Sequence, residues 1–254
     1  MPEPPEPAPK PPTDATCGPA VKPWLLVLAS ELEARAVLEG LGINEGIPES
    51  WRPMPIEPGL RLLVTGVGKA NAAAASAMAL SNGPAGAVLS LGIAGILPTA
   101  RPPELGQVVV ATRSAYADEG LALPDGGFVG CHAMGFPLGD FDDLGVPGDP
   151  LLLHGLGKLS DRSAPIATVS TCSGTDALAR AVADRTGALA EAMEGAAVGQ
   201  VAVRLGVPFA EVRVMSNTTG DRAGQRWAMA QALGRLGELA RGIVELARSA
   251  AAGS

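Results

Sequence analysis

Short apolar runs alternate along the chain with segments in which apolar and polar residues recur at helical spacing. The first run spans residues 24–29, and Ser30 and Glu33 after it form the S-x-x-E pattern of a helix capping box. Strands alternating with helices predict an α/β fold around a central sheet. Further apolar runs of strand length span residues 61–67, 87–91, 107–112, 166–170, 188–193 and 209–216.

Helices are predicted between these strands and after the last one. An alanine-rich helix begins near Gly68 and ends near Asn82, a second ends at Gly187, and a third begins at Glu194 and ends at Gly206. The C-terminal segment carries apolar residues at helical spacing, which predicts a long amphipathic helix that covers the sheet: Leu233, Leu236, Leu239, Ile243 and Leu246.

Two stretches lack these patterns. Residues 1–22 are crowded with proline and lack large apolar side chains, which predicts a disordered tail ahead of one domain at residues 23–254. Residues 117–150 are rich in glycine, proline and aspartate, which is typical of long functional loops. A lid over a binding site is one interpretation of these loops.

Composition narrows the classes of function. The 254 residues carry a formal net charge of −7, so they do not provide the basic face that nucleic acids require, whereas an uncharged nucleoside is compatible. Cys17, Cys131 and Cys172 are widely spaced, which indicates neither a disulfide framework nor a zinc site. Neither a transmembrane run nor a signal-peptide pattern is apparent. We therefore expect a cytoplasmic protein with no nucleic-acid or membrane partner.

The residues that carry candidate chemistry lie where predicted strands end. The Glu194 carboxylate could accept hydrogen bonds from two neighbouring ribose hydroxyls, while the Met193 thioether packs on the sugar. Asn217 offers a donor and an acceptor, so it could bind a purine carbonyl at C6 together with the adjacent N7–H. An aspartate there would suit a 6-aminopurine instead. This pairing of a carboxylate and a primary amide predicts a nucleoside site.

Each of these residues also has a purely structural interpretation. Glu33 belongs to a capping box, Glu194 would interact favourably with a helix dipole, and Asn217 is a common turn residue. The sequence 66–71 resembles a dinucleotide fingerprint but lacks its third glycine, so we interpret it as a turn. The functional interpretation is favoured because Glu33, residues 92–95, Glu194 and Asn217 all fall at predicted strand ends on one edge of one sheet.

Over nearly the whole of residues 24–248, the chain resembles the nucleoside phosphorylase and methylthioadenosine nucleosidase superfamily. The ribose motif of that superfamily is matched by Ala192-Met193-Glu194-Gly195-Ala196. Other segments resemble one branch, the futalosine hydrolases, and these are residues 30–34, 92–95, 116–120, 134–137, 168–175 and 216–227. The resemblance implies a three-layer, nucleoside-phosphorylase-like fold with a central twisted mixed sheet flanked by helices.

The same resemblance implies hydrolysis of the N-glycosidic bond of futalosine to hypoxanthine and dehypoxanthine futalosine, a step in menaquinone biosynthesis that needs no cofactor or metal. Glu33 would activate water, Glu194 would stabilise the ribosyl cation, and Asn217 would steady the departing base. A homodimer or larger homo-oligomer is also implied. The substrate-binding residues implied are Ile93, Ala94, Gly95, Phe136, Ser173, Gly174 and Met193. Arg222 and Arg226 are candidate anchors for the benzoate-bearing arm of futalosine, and a solvated charged loop explains them equally well.

Two features distinguish the chain from neighbouring families. Asn217 stands where adenine-releasing nucleosidases usually carry an acid, and an amide cannot act as a general acid, which favours a 6-oxopurine. Glu33 follows the first strand and would repel phosphate, whereas phosphorylases need cationic anchors. Two alternatives stay open: a nucleosidase or phosphorylase acting on another 6-oxopurine nucleoside such as inosine, and a non-catalytic nucleoside-binding protein.

Overall fold

A mixed β-sheet with helices on both faces forms the centre of this protein. The computed structural model describes residues 22–44, 46–142 and 144–252. Within these ranges the main sheet has nine strands, and the fold class expected from the sequence is confirmed. The tail predicted at residues 1–22 lies outside the described residues, apart from Lys22.

The strands and helices follow one another largely as the apolar pattern predicts. The strands of the described chain are β1 (Trp24–Leu28), β2 (Met54–Glu57), β3 (Leu60–Val64), β4 (Ala87–Ile96), β5 (Val108–Tyr116), β6 (Gly120–Ala122), β7 (Phe128–Gly130), β8 (Val146–Pro147), β9 (Arg162–Thr168), β10 (Ala190–Ala192) and β11 (Phe209–Thr218). The α-helices are α1 (Glu31–Gly40), α2 (Lys69–Asn82), α3 (Pro150–Leu156), α4 (Asp176–Thr186), α5 (Gly195–Arg204) and α6 (Met229–Ala252).

The sheet brings several strand ends to one edge. Eight strands follow the order β10-β9-β5-β11-β4-β1-β3-β2, and the ninth, β8, pairs with β5. β4 pairs in parallel with both β1 and β11. β10 is parallel to β9 and also pairs antiparallel with β4, so this half of the sheet closes on itself. The carboxyl ends of β1, β4 and β11 therefore lie together, in the position where α/β sheets bind ligands.

The two largest of four apolar clusters in the described residues lie on opposite faces of the sheet and divide the helices that they contact into two layers. Because successive strand residues face opposite sides, Leu26 and Leu28 of β1 pack with α1, α3 and α6, whereas Leu25 and Val27 pack with α2 and α5. The second core is built largely from alanine, which allows α2 and α5 to lie close to the sheet. None of the helices in the described part of the chain is long and apolar enough to cross a bilayer.

The predicted helix boundaries hold where local chemistry defines them. The Ser30 side chain accepts from Glu33 N, and the Glu33 carboxylate accepts from Ser30 N, so the capping box of α1 is confirmed. α4 ends at Thr186 and is capped by the predicted Gly187, whose φ of 63° suits the left-handed conformation that glycine adopts readily. α5, the third helix predicted from the sequence, ends at Arg204, two residues before its predicted end at Gly206.

Some elements differ from the prediction. β4 does not end at Leu91 but continues through residues 92–95 to Ile96, because β10 and β11 pair with that segment on its two sides. β11 likewise continues to Thr218. β2, the β6–β7 hairpin and β8 were not predicted, since these strands of two to four residues are too short to show a clear apolar alternation. α3, with seven residues, is too short to establish a helical period.

Candidate active site

Glu33 lies in the first turn of α1, and its carboxylate reaches the carboxyl-end edge of β4. Its Oε1 atom accepts a hydrogen bond from Ile93 N at 2.9 Å. Its Oε2 atom accepts from Ser30 N at 3.1 Å and from Ser30 Oγ at 2.9 Å. The residue is only 4% exposed. One carboxylate therefore caps the helix and also occupies the sheet edge.

The guanidinium of Arg213, on β11, connects the acidic residues of this edge. Its Nε donates to Glu211 Oε1 at 2.8 Å, Nη1 donates to the Leu91 carbonyl at 3.0 Å, and Nη2 donates to Ser90 Oγ at 2.9 Å. Nη2 also lies 3.6 Å from Glu194 Oε2. A guanidinium has five N–H bonds, so two remain after these three hydrogen bonds. Sequence reasoning missed Arg213; a charged residue inside the apolar run 209–216 was the available signal.

Glu194 lies between β10 and α5 and is 6% exposed. Its Oε1 accepts from Gly68 N at 3.0 Å, and its Oε2 accepts from Met193 N at 3.3 Å and faces Arg213. The glycine turn before α2 thus holds the Glu194 carboxylate through a backbone N–H. The lone pairs that remain on the two oxygens can accept hydrogen bonds from ligand hydroxyls.

A glycine at position 92 is needed for Glu33 and Arg213 to come together. A Cβ atom there would lie 2.4 Å from Arg213 Nη1 and 2.4 Å from Glu33 Oε1, and the φ of 154° is one that other residues rarely adopt. The carboxylate and the guanidinium therefore converge above the backbone of Gly92. Any side chain at this position would force them apart.

The cluster carries more negative than positive charge. Three carboxylates, those of Glu33, Glu194 and Glu211, surround the Arg213 guanidinium, so the fully ionised set has a net charge of −3 + 1 = −2. Burial raises the pKa of Glu33; the Arg213 charge and the hydrogen bonds from Ile93 and Ser30 oppose this effect. In this fully ionised form the site repels anions and favours cationic character in a bound molecule.

Asn217 lies close to the end of β11, just after a bulge that shifts the strand register between Met215 and Asn217. The bulge changes which face of the sheet the following side chain occupies. The Asn217 amide oxygen accepts from Ser216 Oγ at 2.9 Å, and Nδ2 donates to the Thr218 carbonyl at 3.0 Å. Each end of the amide retains the capacity for a further hydrogen bond.

The loop between β9 and α4 borders the same edge of the sheet. Ser173 donates two hydrogen bonds to Glu191, from N to Oε1 at 2.7 Å and from Oγ to Oε2 at 2.6 Å. The sulfur of Cys172 lies 3.5 Å from that of Met193, and Gly174 is exposed. Sequence reasoning did not single out Glu191, although an acid within the apolar run 188–193 was a usable signal.

The remaining residues that the sequence predicts at the site make fewer contacts with Glu33, Glu194 and Asn217. Ile93 contacts Glu33 through its backbone, as described, whereas the Ala94 carbonyl accepts from Ser216 Oγ at 3.2 Å. The Arg222 guanidinium lies over the Trp227 ring, with Cζ 4.9 Å from the ring centroid, and donates a hydrogen bond to Gln225 Oε1. Arg226 is exposed, and Phe136 is 71% exposed. Over the described ranges, no hydrogen bond or ion pair joins Arg222 or Arg226 to Glu33, Glu194 or Asn217.

Comparison with known proteins shows which family and which relatives the chain resembles. The sequence model of the phosphorylase superfamily matches residues 59–245. A futalosine hydrolase from Streptomyces coelicolor is 38% identical over 196 residues, which cover 75% of this chain and 77% of the relative. A futalosine hydrolase from Thermus thermophilus is 35% identical over 234 residues, which cover 87% of this chain and 95% of the relative.

A solved structure supports the same fold. The 5′-methylthioadenosine/S-adenosylhomocysteine nucleosidase from Neisseria meningitidis aligns with a TM-score of 0.70 at 21% identity, covering 89% of this chain and 99% of that one. At this identity the likeness concerns the fold, which is the mixed sheet with flanking helices described above.

Proposed function

Because the chain belongs to the phosphorylase superfamily and, within it, to the futalosine hydrolase family, we propose that it hydrolyses the N-glycosidic bond of futalosine. The products are hypoxanthine and dehypoxanthine futalosine, and the reaction is a step in menaquinone biosynthesis. The reaction consumes one water and needs neither a cofactor nor a metal. Nucleosidase chemistry also fits a site that is built from carboxylates.

The observation that carries this proposal is the charge of the site. Among the described residues, the three carboxylates of Glu33, Glu194 and Glu211 surround one guanidinium, that of Arg213. A negative site stabilises a ribosyl group that gains oxocarbenium character as the bond to the base lengthens. The same charge disfavours phosphate as the nucleophile, because like charges repel strongly where burial reduces screening.

In the proposed mechanism, Glu33 positions the attacking water and accepts one of its protons. Oε1 of Glu33 has one hydrogen bond, from Ile93 N, and so retains an acceptor site for water near the Arg213 guanidinium. Glu194 binds the 2′ and 3′ hydroxyls and stabilises the developing positive charge, while Met193 packs on the sugar. The ribosyl carbon bonds to the water oxygen as the bond to the purine nitrogen breaks. The purine leaves with the electron pair of that bond and takes up a proton from solvent to become hypoxanthine, while Glu33 returns its proton to solvent.

We assign contacts with the two ends of the substrate to other residues. Ile93, Ala94 and Gly95 form the strand segment beneath the substrate, and Ser173 and Gly174 border the base. We assign Phe136, an exposed aromatic residue in the loops at residues 117–150, to the cover of the bound substrate. Arg222 or Arg226 binds the distal carboxylate, since a guanidinium pairs well with a carboxylate.

Asn217→Asp is expected to reduce the preference for futalosine over its 6-amino counterpart by about tenfold to a hundredfold. The Asn217 amide donates to O6 and accepts from N7–H of hypoxanthine, whereas an aspartate cannot donate to O6 when ionised. The ratio of kcat/KM values for the two substrates measures the change. Asn82→Asp, on an exposed residue at the end of α2, is the matched control. An unchanged ratio in Asn217→Asp would contradict the assignment.

Release of hypoxanthine from futalosine in phosphate-free buffer tests the reaction itself. We expect rapid release that does not increase when phosphate is added. Release only in the presence of phosphate would identify a phosphorylase. Faster release from inosine than from futalosine would identify inosine as the preferred substrate. Tight binding without release under either condition would identify a nucleoside-binding protein.

We also propose the organisation of the active protein. Residues 23–254 act as one catalytic domain, since one sheet extends from β1 to β11. A homodimer or larger homo-oligomer is supported by large apolar side chains that are exposed on the described surface, with Phe136 at 71% and Val67 at 55%. Free thiols at Cys131 and Cys172 support a cytoplasmic location.

A further inference from the structure

Glu191 is a buried acid at the candidate site to which the mechanism above assigns no role. It lies in the centre of β10 and is 5% exposed. Both of its oxygens accept hydrogen bonds from Ser173, one from the backbone N–H and one from the hydroxyl. No lysine or arginine within the described ranges forms an ion pair with it. A buried carboxylate without a cation is costly unless hydrogen-bond donors surround it.

Glu191 and Asn217 lie on either side of Gly95 in the sheet. Gly95 of β4 pairs with Glu191 on one side and with Asn217 on the other. Directly paired residues on adjacent strands place their side chains on the same face. A Cβ atom at Gly95 would lie 3.2 Å from Asn217 Nδ2 and 3.7 Å from Glu191 Cγ, so both side chains border the same small space. The methyl group of Thr219 also borders this space, 2.8 Å from the same Cβ position.

The Glu191 carboxylate can still accept hydrogen bonds. A carboxylate offers about four acceptor positions, and Ser173 occupies two. Burial raises the pKa of Glu191, and the two hydrogen bonds from Ser173 oppose that effect. A donor supplied by a ligand would stabilise the ionised form in the same way as Ser173 does.

We propose that Glu191 accepts the N1–H of a 6-oxopurine while its neighbour Asn217 binds O6 and N7, so the two residues together determine base specificity. In a 6-oxopurine, N1–H is adjacent to the carbonyl that Asn217 binds. In a 6-aminopurine, N1 carries a lone pair, which the carboxylate repels. This inference rests on the proposed function, because it concerns the base of that same substrate.

Glu191→Gln tests this role by changing the acceptor into a group that can also donate. Calorimetric titration with free hypoxanthine and with free adenine gives the ratio of their dissociation constants. We expect the wild type to bind hypoxanthine about tenfold or more tightly than adenine, and the variant to lose most of that preference. If Glu191 only holds the Ser173 loop, both affinities will fall together and the ratio will stay unchanged, which would overturn the proposal.

A matched control and a measurement on the wild type complete the test. Glu238→Gln alters an exposed glutamate on α6 and should leave the ratio as it is. If Glu191→Gln does not fold, the proton spectrum of wild-type protein bound to ¹⁵N1-labelled hypoxanthine gives the answer. A downfield N1–H signal protected from exchange is expected, and rapid exchange with water would overturn the proposal.

The binding ratio tests the role of Glu191 and the hydrolysis assay tests the proposed function, so either hypothesis can be overturned without the other. Wild-type protein that prefers hypoxanthine through Glu191 but does not release it from futalosine would overturn the proposed function alone. Protein that hydrolyses futalosine, with a base preference that Glu191→Gln does not alter, would overturn the role of Glu191 alone.

Discussion

Glu33→Gln is expected to lower kcat for futalosine by about 10²–10⁴-fold, the contribution typical of a positioned general base. A glutamine at this position keeps the size of the side chain and can accept hydrogen bonds, but it cannot take a proton from water. The capping box also tolerates glutamine at the third helical position, so α1 should keep its start at Ser30. The loss therefore concerns chemistry rather than folding.

Single-turnover measurement of hypoxanthine release, together with thermal unfolding, checks this expectation. Glu31→Gln is the matched control, because Glu31 lies in the same helical turn but is exposed. The control should retain activity, and both variants should unfold close to the wild-type temperature. A Glu33→Gln enzyme with more than a tenth of the wild-type rate would contradict the role of Glu33 as the base.

The pH dependence of kcat/KM provides a second readout on Glu33. Burial raises the pKa of Glu33 from the ordinary value of 4.5, against the opposing charge of Arg213, and the Glu194 carboxylate raises it further. A general base acts only when deprotonated, so activity should fall as the pH decreases through this raised pKa. The fall in wild-type activity on the acid side should thus lie above pH 4.5. The residual activity of Glu33→Gln should not show the fall that protonation of Glu33 causes.

Local signals made much of the fold predictable. The capping box at Ser30 and Glu33 and the glycine at 187 fix helix ends through contacts within a few residues. The buried strands follow from apolar runs. Glu33 and Asn217 belong to segments at the ends of β1 and β11, which run parallel to β4, so their position at one sheet edge followed from the rule that parallel strands end together. Glu194 follows β10, which runs antiparallel to β4, and the closed half of the sheet brings it to within 3.6 Å of Arg213.

Other features depend on contacts between distant segments. Arg213 and Glu191 interrupt apolar runs, and only the closed half of the sheet shows that each has buried partners from other strands or loops. The bulge before Asn217 depends on pairing with β4 and has no glycine or proline to mark it. The extension of β4 through residues 92–95 likewise depends on β10 and β11 rather than on its own sequence.

Arg213→Met is expected to reduce the free energy of unfolding by about 3–5 kcal/mol, the typical cost of removing one partner from a buried ion pair. Arg213 is 1% exposed and Glu211 is fully buried, so the variant leaves the Glu211 carboxylate without a cation. Urea unfolding followed by circular dichroism measures the loss. Arg248→Met, which removes an exposed ion pair with Glu57, should cost no more than about 1 kcal/mol. A similar small loss for Arg213→Met would contradict the buried-pair argument.

The cost of Arg213→Met should also depend on pH. Burial raises the pKa of Glu211 in the folded protein, and the largest opposing influence is the charge of Arg213. Without that charge, Glu211 must bind a proton to stay buried. A raised folded-state pKa contributes stability at pH values below the unfolded value of about 4.5, and this stability is lost as the pH rises through the folded-state value. The difference from wild type should therefore grow as the pH increases.

A double variant separates the structural role of Arg213 from its role in the reaction. In Arg213→Met/Glu211→Gln, the glutamine is neutral and can still accept the hydrogen bond from Ser114 Oγ, so much of the lost stability should return. Activity should not return, because Glu33 and Glu194 would still lack the guanidinium that their carboxylates face. If restored stability brings full activity with it, Arg213 acts only through the fold, and the cation is not needed to organise the two carboxylates for hydrolysis.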